Sequence, residues 1–230
     1  MKIIREWLGR NRGFLLFLAL FGLFRTAIAD WSPIPSGSMR PTLLEGDLVF
    51  VDRIAYDLKL PLSDLILARI GEPRRGDVVV FHSPRDGIRL IKRVIALPGD
   101  TIEMRGKRLV VNGEPANYRP VAPVGGHPRA EPGLPVSAER FVESFAGGEH
   151  EVQFLFATGR DDFGPLVVPA DHYLMLGDNR DNSADSRYFG LVPRRLLVGR
   201  ANLVIGSVDM LGNWLPRPDR FGRPLDARHP

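Results

Sequence analysis

Cysteine is absent from the 230 residues of this chain, and histidine occurs only 5 times. Without cysteine the protein has no disulfide bonds, no thiolate nucleophile and no thiolate metal ligands, although this does not fix its cellular compartment. The histidines lie outside any motif, which disfavours a Ser-His-Asp hydrolase. The absence of an H-E-x-x-H pattern excludes a zincin.

A large charge of one sign is also lacking, since the formal net charge is only +4. The basic residues gather at the two ends of the chain: Lys2, Arg5, Arg10 and Arg12 at the start, and Arg217, Arg220, Arg223 and Arg228 at the end. They are not interleaved with aromatic side chains, so we expect no nucleic-acid partner. Bases that flank an apolar segment favour an anionic membrane surface, and a solvated basic tail is the alternative.

One apolar run is present near the N-terminus, GFLLFLALFGLF at residues 13–24, followed by Arg25 and then by Ala27-Ile28-Ala29. Counted through Ala29, it is near the short limit of about 17 to 25 residues for a membrane span. The bases before it predict that the N-terminus is cytoplasmic and the rest of the chain is outside. A cleaved secretory signal with an A-x-A site fits these residues equally well and gives the same side.

The chain after Trp31 is patterned mainly as β-strands, and its 44% hydrophobic content is enough for one sizeable core. Residues 76–81, 88–97, 174–176 and 200–208 are apolar runs typical of strands. A hairpin is predicted around Arg105-Gly106-Lys107, with a further tight turn at Asn112-Gly113.

The middle of the chain is less regular. Residues 114–135 are rich in Pro and Gly and predict a loop, and residues 140–156 predict two strands around Gly147-Gly148. We therefore expect an inserted β lobe over residues 103–170. After the N-terminal run, only residues 61–69 favour a helix.

The segment Pro35-Ser36-Gly37-Ser38 places a serine in a turn stiffened by proline. Such a turn can present a hydroxyl and a backbone N–H to one point, as acyl transfer requires. Small residues are common in ordinary turns, so these residues alone favour the structural interpretation.

Lys92 lies in the run RLIKRVI, where a strand would put it on one face with Leu90 and Val94. Apolar neighbours would desolvate its amine and favour the neutral form. To act as a base near pH 7, its pKa must fall by about three units, or about 4 kcal/mol. A lysine at a strand edge with its amine in water is the alternative. The polar segment at residues 177–190 is compatible with a site or with a solvated loop.

Four segments occur in order along the chain: PSGSMRPTL, RRGDVVVF, LIKRVIALPGD and GDNRDNSADSRYFGLVP. Together they resemble the motifs of bacterial type I signal peptidases, over most of the chain after the apolar run. The resemblance implies a mostly β fold, with antiparallel sheets forming the catalytic core, a smaller inserted β lobe and one preceding transmembrane helix. It implies a Ser-Lys serine endopeptidase that removes signal peptides from exported preproteins after small residues, with no metal and no cofactor.

The resemblance assigns roles to the polar residues. Ser38 matches the nucleophile, and Lys92 matches the general base. Ser36 matches the residue whose hydroxyl stabilises the oxyanion together with the N–H of Ser38, and Ser183 matches the hydroxyl that orients the lysine amine.

Further residues match supporting and substrate-binding positions. Asp185 and Arg187 match an ion pair, with Arg93 nearby. The residues that match the lining of shallow pockets for small substrate side chains are Ile34, Met39, Leu43, Val80 and Ile91. The substrate would add a strand beside the one that carries Lys92.

The resemblance also implies an organisation. Residues 1–12 would be a cytoplasmic basic segment, 13–29 a transmembrane anchor, 30–102 and 171–210 the catalytic core, 103–170 the inserted lobe and 211–230 a basic tail. It favours an anchor in the bacterial cytoplasmic membrane, with the catalytic domain outside and the lipid bilayer as a partner, over a cleaved signal.

Two other functions fit parts of the sequence. A self-cleaving regulatory Ser-Lys protease would share the chemistry, but it would be cytoplasmic, which the apolar run disfavours. A non-catalytic membrane-tethered binding protein gives no reason for Ser36, Ser38, Lys92 and Ser183 all to match.

Overall fold

The computed structural model describes residues 7–121, 138–145, 148–155 and 162–225. Strands dominate these ranges: β1 (Ala29–Pro33), β2 (Asp47–Asp52), β3 (Asp57–Lys59), β4 (Ile66–Arg69), β5 (Val78–His82), β6 (Arg89–Ala96), β7 (Thr101–Arg105), β8 (Arg108–Val111), β9 (Glu114–Pro115), β10 (Asn117–Pro120), β11 (Glu139–Phe145), β12 (Gly148–Phe154), β13 (Phe163–Val167), β14 (His172–Leu176), β15 (Val192–Pro193) and β16 (Leu197–Ser207). Two α-helices also lie in these ranges, α1 (Arg12–Ala27) and α2 (Ser186–Phe189).

A seven-stranded sheet in the order β1-β2-β16-β5-β6-β14-β15 is the main element of the fold. Its neighbouring strands pair antiparallel. The valines of β2 and β5 that face inward are fully buried, as expected for β-branched residues on a core-facing side. The mostly β, antiparallel fold expected from the sequence is therefore confirmed.

A four-stranded sheet, in the order β13-β7-β8-β9, contains the hairpin predicted around Arg105-Gly106-Lys107. Asn112 and Gly113 form the next turn with φ angles of 54° and 83°, which suit a two-residue hairpin connection between Val111 and Glu114. Both predicted turns are confirmed.

A three-stranded sheet, in the order β10-β11-β12, contains the two strands predicted over residues 140–156. Gly147 lies outside the described residues. The loop predicted over residues 114–135 is wrong at its start, because β9 at residues 114–115 pairs with β8 and β10 at residues 117–120 pairs with β11. Residues 122–135 of that predicted loop lie outside the described residues.

The helix predicted over residues 61–69 is wrong. This segment ends in β4, which pairs antiparallel with β3 in a separate two-stranded sheet. Leu62 has a φ of 63°, a left-handed conformation that interrupts a right-handed helix. The backbone of β4 forms its hydrogen bonds with β3, a partner that the spacing of apolar residues within 61–69 could not predict. Leu65 and Leu67, two apolar residues of this segment, are exposed.

The helix α1 precedes β1 and has no buried residue. Its exposed apolar side chains include Phe14, Leu16 and Phe17, each about 60% exposed. Among the described residues, no helix is at once long and apolar enough to cross a membrane.

The predicted basic tail is not simply solvated. Arg220 is buried and forms a bidentate ion pair with the fully buried carboxylate of Asp47, at 2.8 and 2.5 Å. Arg217 donates to the backbone oxygens of Glu45 and Val208. Tertiary packing thus assigns these arginines to the core sheet, whereas Arg228 lies outside the described residues.

Candidate active site

Ser38 lies in a short 3₁₀ turn, Gly37–Met39, in the connection between β1 and β2. Met39 is fully buried and anchors the turn in the core, whereas the side chain of Ser36 is exposed. The N–H of Arg40 donates to the oxygen of Gly37 at 3.1 Å and closes the turn. This arrangement holds Ser38, which is partly exposed, at the surface of the main sheet.

Lys92 lies on β6, where it pairs with Val79 of β5. Its Nζ is 2.7 Å from the Oγ of Ser38 and 3.0 Å from the backbone oxygen of Ile91. The side chain is buried, so the interpretation of Lys92 as a solvated edge lysine is wrong. The structure brings a hydroxyl and an amine from distant parts of the chain into hydrogen-bond contact.

Burial changes the acid–base behaviour of this amine. Desolvation lowers the pKa of Lys92 to about 8, against the attraction of the Asp185 and Asp178 carboxylates, which raises it. A lysine with a pKa near 8 is neutral in a useful fraction of molecules near neutral pH. Lys92 can therefore accept the proton of Ser38.

The loop at residues 177–185, between β14 and α2, joins the two halves of this dyad. Asp178 binds the guanidinium of Arg93 at 2.9 and 2.7 Å, and Arg93 directly follows Lys92. Asn179 donates from its backbone N–H to the oxygen of Ser38 at 3.1 Å, and from Nδ2 to the oxygen of Gly37 at 2.9 Å. Neighbouring residues of the loop thus fix the base strand and the nucleophile turn to each other.

Arg180 ties the same loop to the three-stranded sheet. Its guanidinium forms a bidentate pair with Glu143 of β11 at 2.6 and 2.5 Å, and both side chains are almost wholly buried. The Nε2 of His150 lies 3.1 Å from the same carboxylate. Backbone bonds of Gln153 to the loop continue the link, at 2.8 and 2.9 Å.

Sequence reasoning missed these supporting residues in part. Asp178, Asn179 and Arg180 stand in a matched motif, and their dense hydrogen-bonding capacity was the available signal. Glu143 carried no signal, because it lies in a strand far from the loop in sequence and is an ordinary glutamate until the fold buries it.

Asp185 and Arg187 form the expected ion pair, with Arg187 Nε and Nη2 each 2.8 Å from a different carboxylate oxygen. Asp185 also accepts from the N–H of Gly177, and its carboxylate caps α2 by accepting from the N–H of Arg187. Arg93 does not join this pair but binds Asp178 instead.

Ser183 is buried beside the dyad, but its Oγ has no hydrogen-bond partner among the described residues. Ser183 Oγ and the backbone oxygen of Ser38 both lie next to Gly177. A Cβ atom at position 177 would collide with both of them, so this close approach requires glycine. The structure thus places Ser183 near Ser38 without a hydrogen bond to Lys92. A buried hydroxyl left without a partner is uncommon in structures.

The residues matched to substrate pockets gather in one cluster. Ile34, Met39, Leu43 and Val80 belong to the same hydrophobic core, and Ile91 packs against it. Met39, Leu43 and Val80 have no exposed surface, so they form the layer beneath the site. Ile91 is partly exposed.

The site brings a serine hydroxyl next to a buried lysine amine, a combination suited to acyl transfer. Within the described ranges, there is no cluster of three or more side chains that could hold a metal ion.

Comparison with known proteins gives consistent results. The family described as signal peptidase, peptidase S26, matches residues 5–206. Signal peptidase I of Pseudomonas fluorescens is 40% identical over 200 residues, covering 81% of this chain and 67% of the relative. Signal peptidase I of Pseudomonas aeruginosa is 38% identical over 218 residues, covering 89% and 70%. A crystal structure of a signal peptidase I from Enterococcus faecalis V583 is 30% identical, with a TM-score of 0.35, and covers 57% of this chain and 97% of that one.

Proposed function

This chain belongs to the signal peptidase family, peptidase S26, and from that premise we propose that it cuts N-terminal signal peptides from exported preproteins with Ser38 as nucleophile and Lys92 as general base. The observation that carries the assignment of these residues is the 2.7 Å contact between Lys92 Nζ and Ser38 Oγ. The buried position of the lysine and its lowered pKa support it.

The reaction follows from this contact. Neutral Lys92 takes the proton of Ser38 as Oγ attacks the scissile carbonyl carbon, and a tetrahedral intermediate forms. Its collapse breaks the peptide C–N bond, and the lysine returns the proton to the leaving amine. Lys92 then takes a proton from a water molecule, whose oxygen attacks the carbonyl carbon of the Ser38 ester. The bond from this carbon to Oγ breaks, Lys92 returns the proton to Oγ, and the signal peptide leaves with a free carboxyl group.

Two further serines complete the proposed site. The N–H of Ser38 and the hydroxyl of Ser36 stabilise the negative oxygen of the intermediate. Ser183 orients the Lys92 amine. Its buried Oγ has no hydrogen-bond partner among the described residues, which supports this role because the hydroxyl can bond to the amine. The Asp185–Arg187 ion pair supports the loop on which Ser183 lies.

The substrate binds extended along β6. Residues 93, 94 and 96 of this strand pair with β14, whereas among the described strands residues 89–92 pair only with β5. The open edge beside Lys92 can accept a substrate strand by backbone hydrogen bonds. Ile91 contacts the substrate from the top of the core cluster, which limits the site to small side chains near the cut. Ile34, Met39, Leu43 and Val80 shape the floor.

The apolar helix attaches this domain to the bacterial cytoplasmic membrane. We assign the single anchor expected over residues 13–29 to α1, which ends at Ala27 because Ala29 already pairs in β1. The exposed apolar surface of α1 and the basic residues before it support this assignment, with residues 1–12 in the cytoplasm. The catalytic core, residues 30–102 and 171–210, lies outside. Residues 103–170 form an inserted lobe, and residues 211–230 a basic tail.

The test is cleavage of a preprotein by the full chain in detergent, with the product identified by mass. The Ser38→Ala and Lys92→Ala variants should lose cleavage while remaining folded. Ser63→Ala and Arg105→Ala serve as controls, because Ser63 bonds the nearby backbone oxygen of Leu60 and Arg105 is an exposed cation paired with Glu103. Both should cut at the parent rate.

Activity retained by either dyad variant would overturn the role of that residue. A folded parent chain that does not cut the preprotein would overturn the proposed function and favour a tethered binding protein. Cleavage of the chain itself, with the preprotein left intact, would favour a self-cleaving protease.

A further inference from the structure

Asp30 occupies an unusual position for a carboxylate. It lies on β1, three residues after the end of α1, and its side chain is only 10% exposed. Two arginines from different elements share its oxygens. Arg89 Nη1 lies 2.8 Å from Oδ2, and Arg25 Nε lies 3.4 Å from Oδ1. Its own strand also contributes, since the N–H of Trp31 donates to Oδ1 at 2.8 Å.

The Arg25 side of this cluster is the end of α1. The guanidinium of Arg25 lies over the indole of Trp31, 4.2 Å from the ring centre, which is a cation–π geometry. Phe21, one turn earlier, packs against the same indole with ring centres 6.1 Å apart. The helix therefore meets the main sheet through Asp30 and Trp31.

On the other side of the cluster, Arg89 belongs to the strand that carries the proposed general base. Arg89 is the first residue of β6, which carries Lys92, and it stands at the open edge to which the substrate is proposed to bind. Asp30 thus connects the last turn of α1 to the strand that presents the base. Within the described residues, the cluster joins these elements directly.

The electrostatics agree with a permanent link. Burial alone would raise the pKa of Asp30, but the hydrogen bond and charge of Arg89, together with the charge of Arg25, hold it below its usual value. The carboxylate is therefore ionised at neutral pH and attracts both guanidinium groups.

The fold of β1 does not by itself require this cluster. All of its residues pair in register with β2, from Ala29 with Asp52 to Pro33 with Leu48. Arg25 and Arg89 are 45% and 35% exposed, so solvent weakens the contribution of their pairs to overall stability. Their contribution is geometric, because they bond the last turn of α1 and the start of β6 to one carboxylate.

We propose that Asp30 is a positioning residue that holds α1 against the strand of Lys92, and so fixes the orientation of the open substrate edge relative to the membrane. This inference rests on the proposed function and on the proposed anchor. A preprotein whose apolar segment is held in the bilayer presents its cleavage site at a fixed distance from the membrane, so the open edge of β6 must lie at that distance. A soluble peptide approaches from any direction, and so does not need the link.

The experiment compares two substrates in the same vesicles, with the full chain reconstituted in them. One substrate is a membrane-inserted preprotein, and the other is a soluble peptide with the same cleavage site and no apolar segment. For Asp30→Asn, kcat/KM on the preprotein should fall about tenfold or more, because small misplacements are costly in catalysis. The peptide should be cut at the parent rate. Asp30→Glu, which restores the charge, should recover part of the loss.

Arg25→Gln provides a second variant, which changes a residue of α1 and none of the sheet. It should lower the ratio of kcat/KM on the preprotein to kcat/KM on the peptide, as Asp30→Asn does. Asp171→Asn is the matched control, because it breaks an exposed ion pair with Arg69 of similar length, 2.8 Å, away from α1. Its ratio should equal that of the parent.

An unchanged ratio in both Asp30→Asn and Arg25→Gln would overturn the inference. An equal loss on the two substrates would also overturn it, since the residue would then support the site in general. A parent chain that cuts neither substrate is a different result, which would overturn the proposed function itself. The position of the cut in the preprotein gives an independent readout, and we expect secondary cuts only in the variants that break the link.

Discussion

Lys92 is a cation-forming residue in a site that disfavours charge. Desolvation lowers its pKa from 10.5 to about 8, so the protonated form is destabilised in the folded protein. A shift of this size corresponds to about 3 kcal/mol. The same burial that suits Lys92 to the proposed role of general base therefore reduces the stability of the fold near neutral pH.

We predict that Lys92→Met abolishes cleavage but raises the free energy of unfolding at pH 7, by up to about 3 kcal/mol. The unfolded chain binds a proton at this lysine up to about pH 10.5, and the folded chain only up to about pH 8. The penalty is thus complete below pH 8 and disappears between pH 8 and 10.5, so the gain should vanish at pH 10.5. Urea unfolding of both chains at the two pH values measures this. A less stable variant at pH 7 would contradict it.

The pH dependence of the reaction follows from the same residue. The base must be neutral, so kcat/KM should rise about tenfold per pH unit below pH 8 and level off above it. Initial rates on a soluble peptide, at constant ionic strength, give this profile. A profile that is flat from pH 6 to 9 would exclude Lys92 as the titrating base.

At the scale of elements, the loop at residues 177–185 controls the geometry of the dyad. Ser38 and Lys92 lie on different elements, and a fixed distance between them requires a third element bonded to both. Asp178 bonds the base strand through Arg93, and Asn179 bonds the nucleophile turn. Under the proposed assignment of Ser38 and Lys92, the loop supports the geometry of the reacting groups without touching them.

We predict that Asn179→Ala lowers kcat by about 10- to 100-fold with little change in KM, because the turn that holds Ser38 loses the bond to the Gly37 oxygen. The midpoint of the pH profile should stay in place, since Lys92 keeps its environment. Asn213→Ala is the control, at an exposed asparagine whose Oδ1 accepts from the nearby N–H of Leu215. A rise in KM with kcat unchanged would show that Asn179 acts on substrate binding instead.

At the scale of the whole molecule, a buried ion pair joins the three-stranded sheet to the catalytic loop. Glu143 is fully buried, and its pKa lies well below the usual range: burial would raise it, but the charge and hydrogen bonds of Arg180, together with the nearby imidazole of His150, outweigh that. The stabilisation from Glu143 is present above the unfolded pKa, near 4.5, and is lost as the pH falls through the folded value.

We predict that Glu143→Gln lowers the free energy of unfolding by about 3 to 5 kcal/mol, because Arg180 is left as a buried and uncompensated charge. Glu149→Gln, which breaks an exposed pair with Arg119 in the same sheet, should cost about 0.5 kcal/mol or less. Urea denaturation of the two variants compares them. Equal costs would show that the buried pair does not hold the sheet to the loop.

Several features were determined by the sequence alone. The motif order predicted the roles of Ser38 and Lys92, and short apolar runs predicted four strands of the main sheet, β5, β6, β14 and β16. The hairpin at Arg105–Lys107 was predicted from its turn residues. These features are local, because a strand pattern, a turn and a short motif each depend on residues that are adjacent in the chain.

Only the tertiary structure decided the remaining features, because they depend on which distant residues meet. It buried Lys92 against Ser38, paired Arg93 with Asp178 rather than with Asp185, and made Glu143 part of the site's support. It replaced the helix predicted over residues 61–69 with a strand pairing and moved Arg220 from a solvated tail to Asp47. Burial and long-range pairing set the pKa of a base and the partner of a charge, and neither is encoded in a short stretch of sequence.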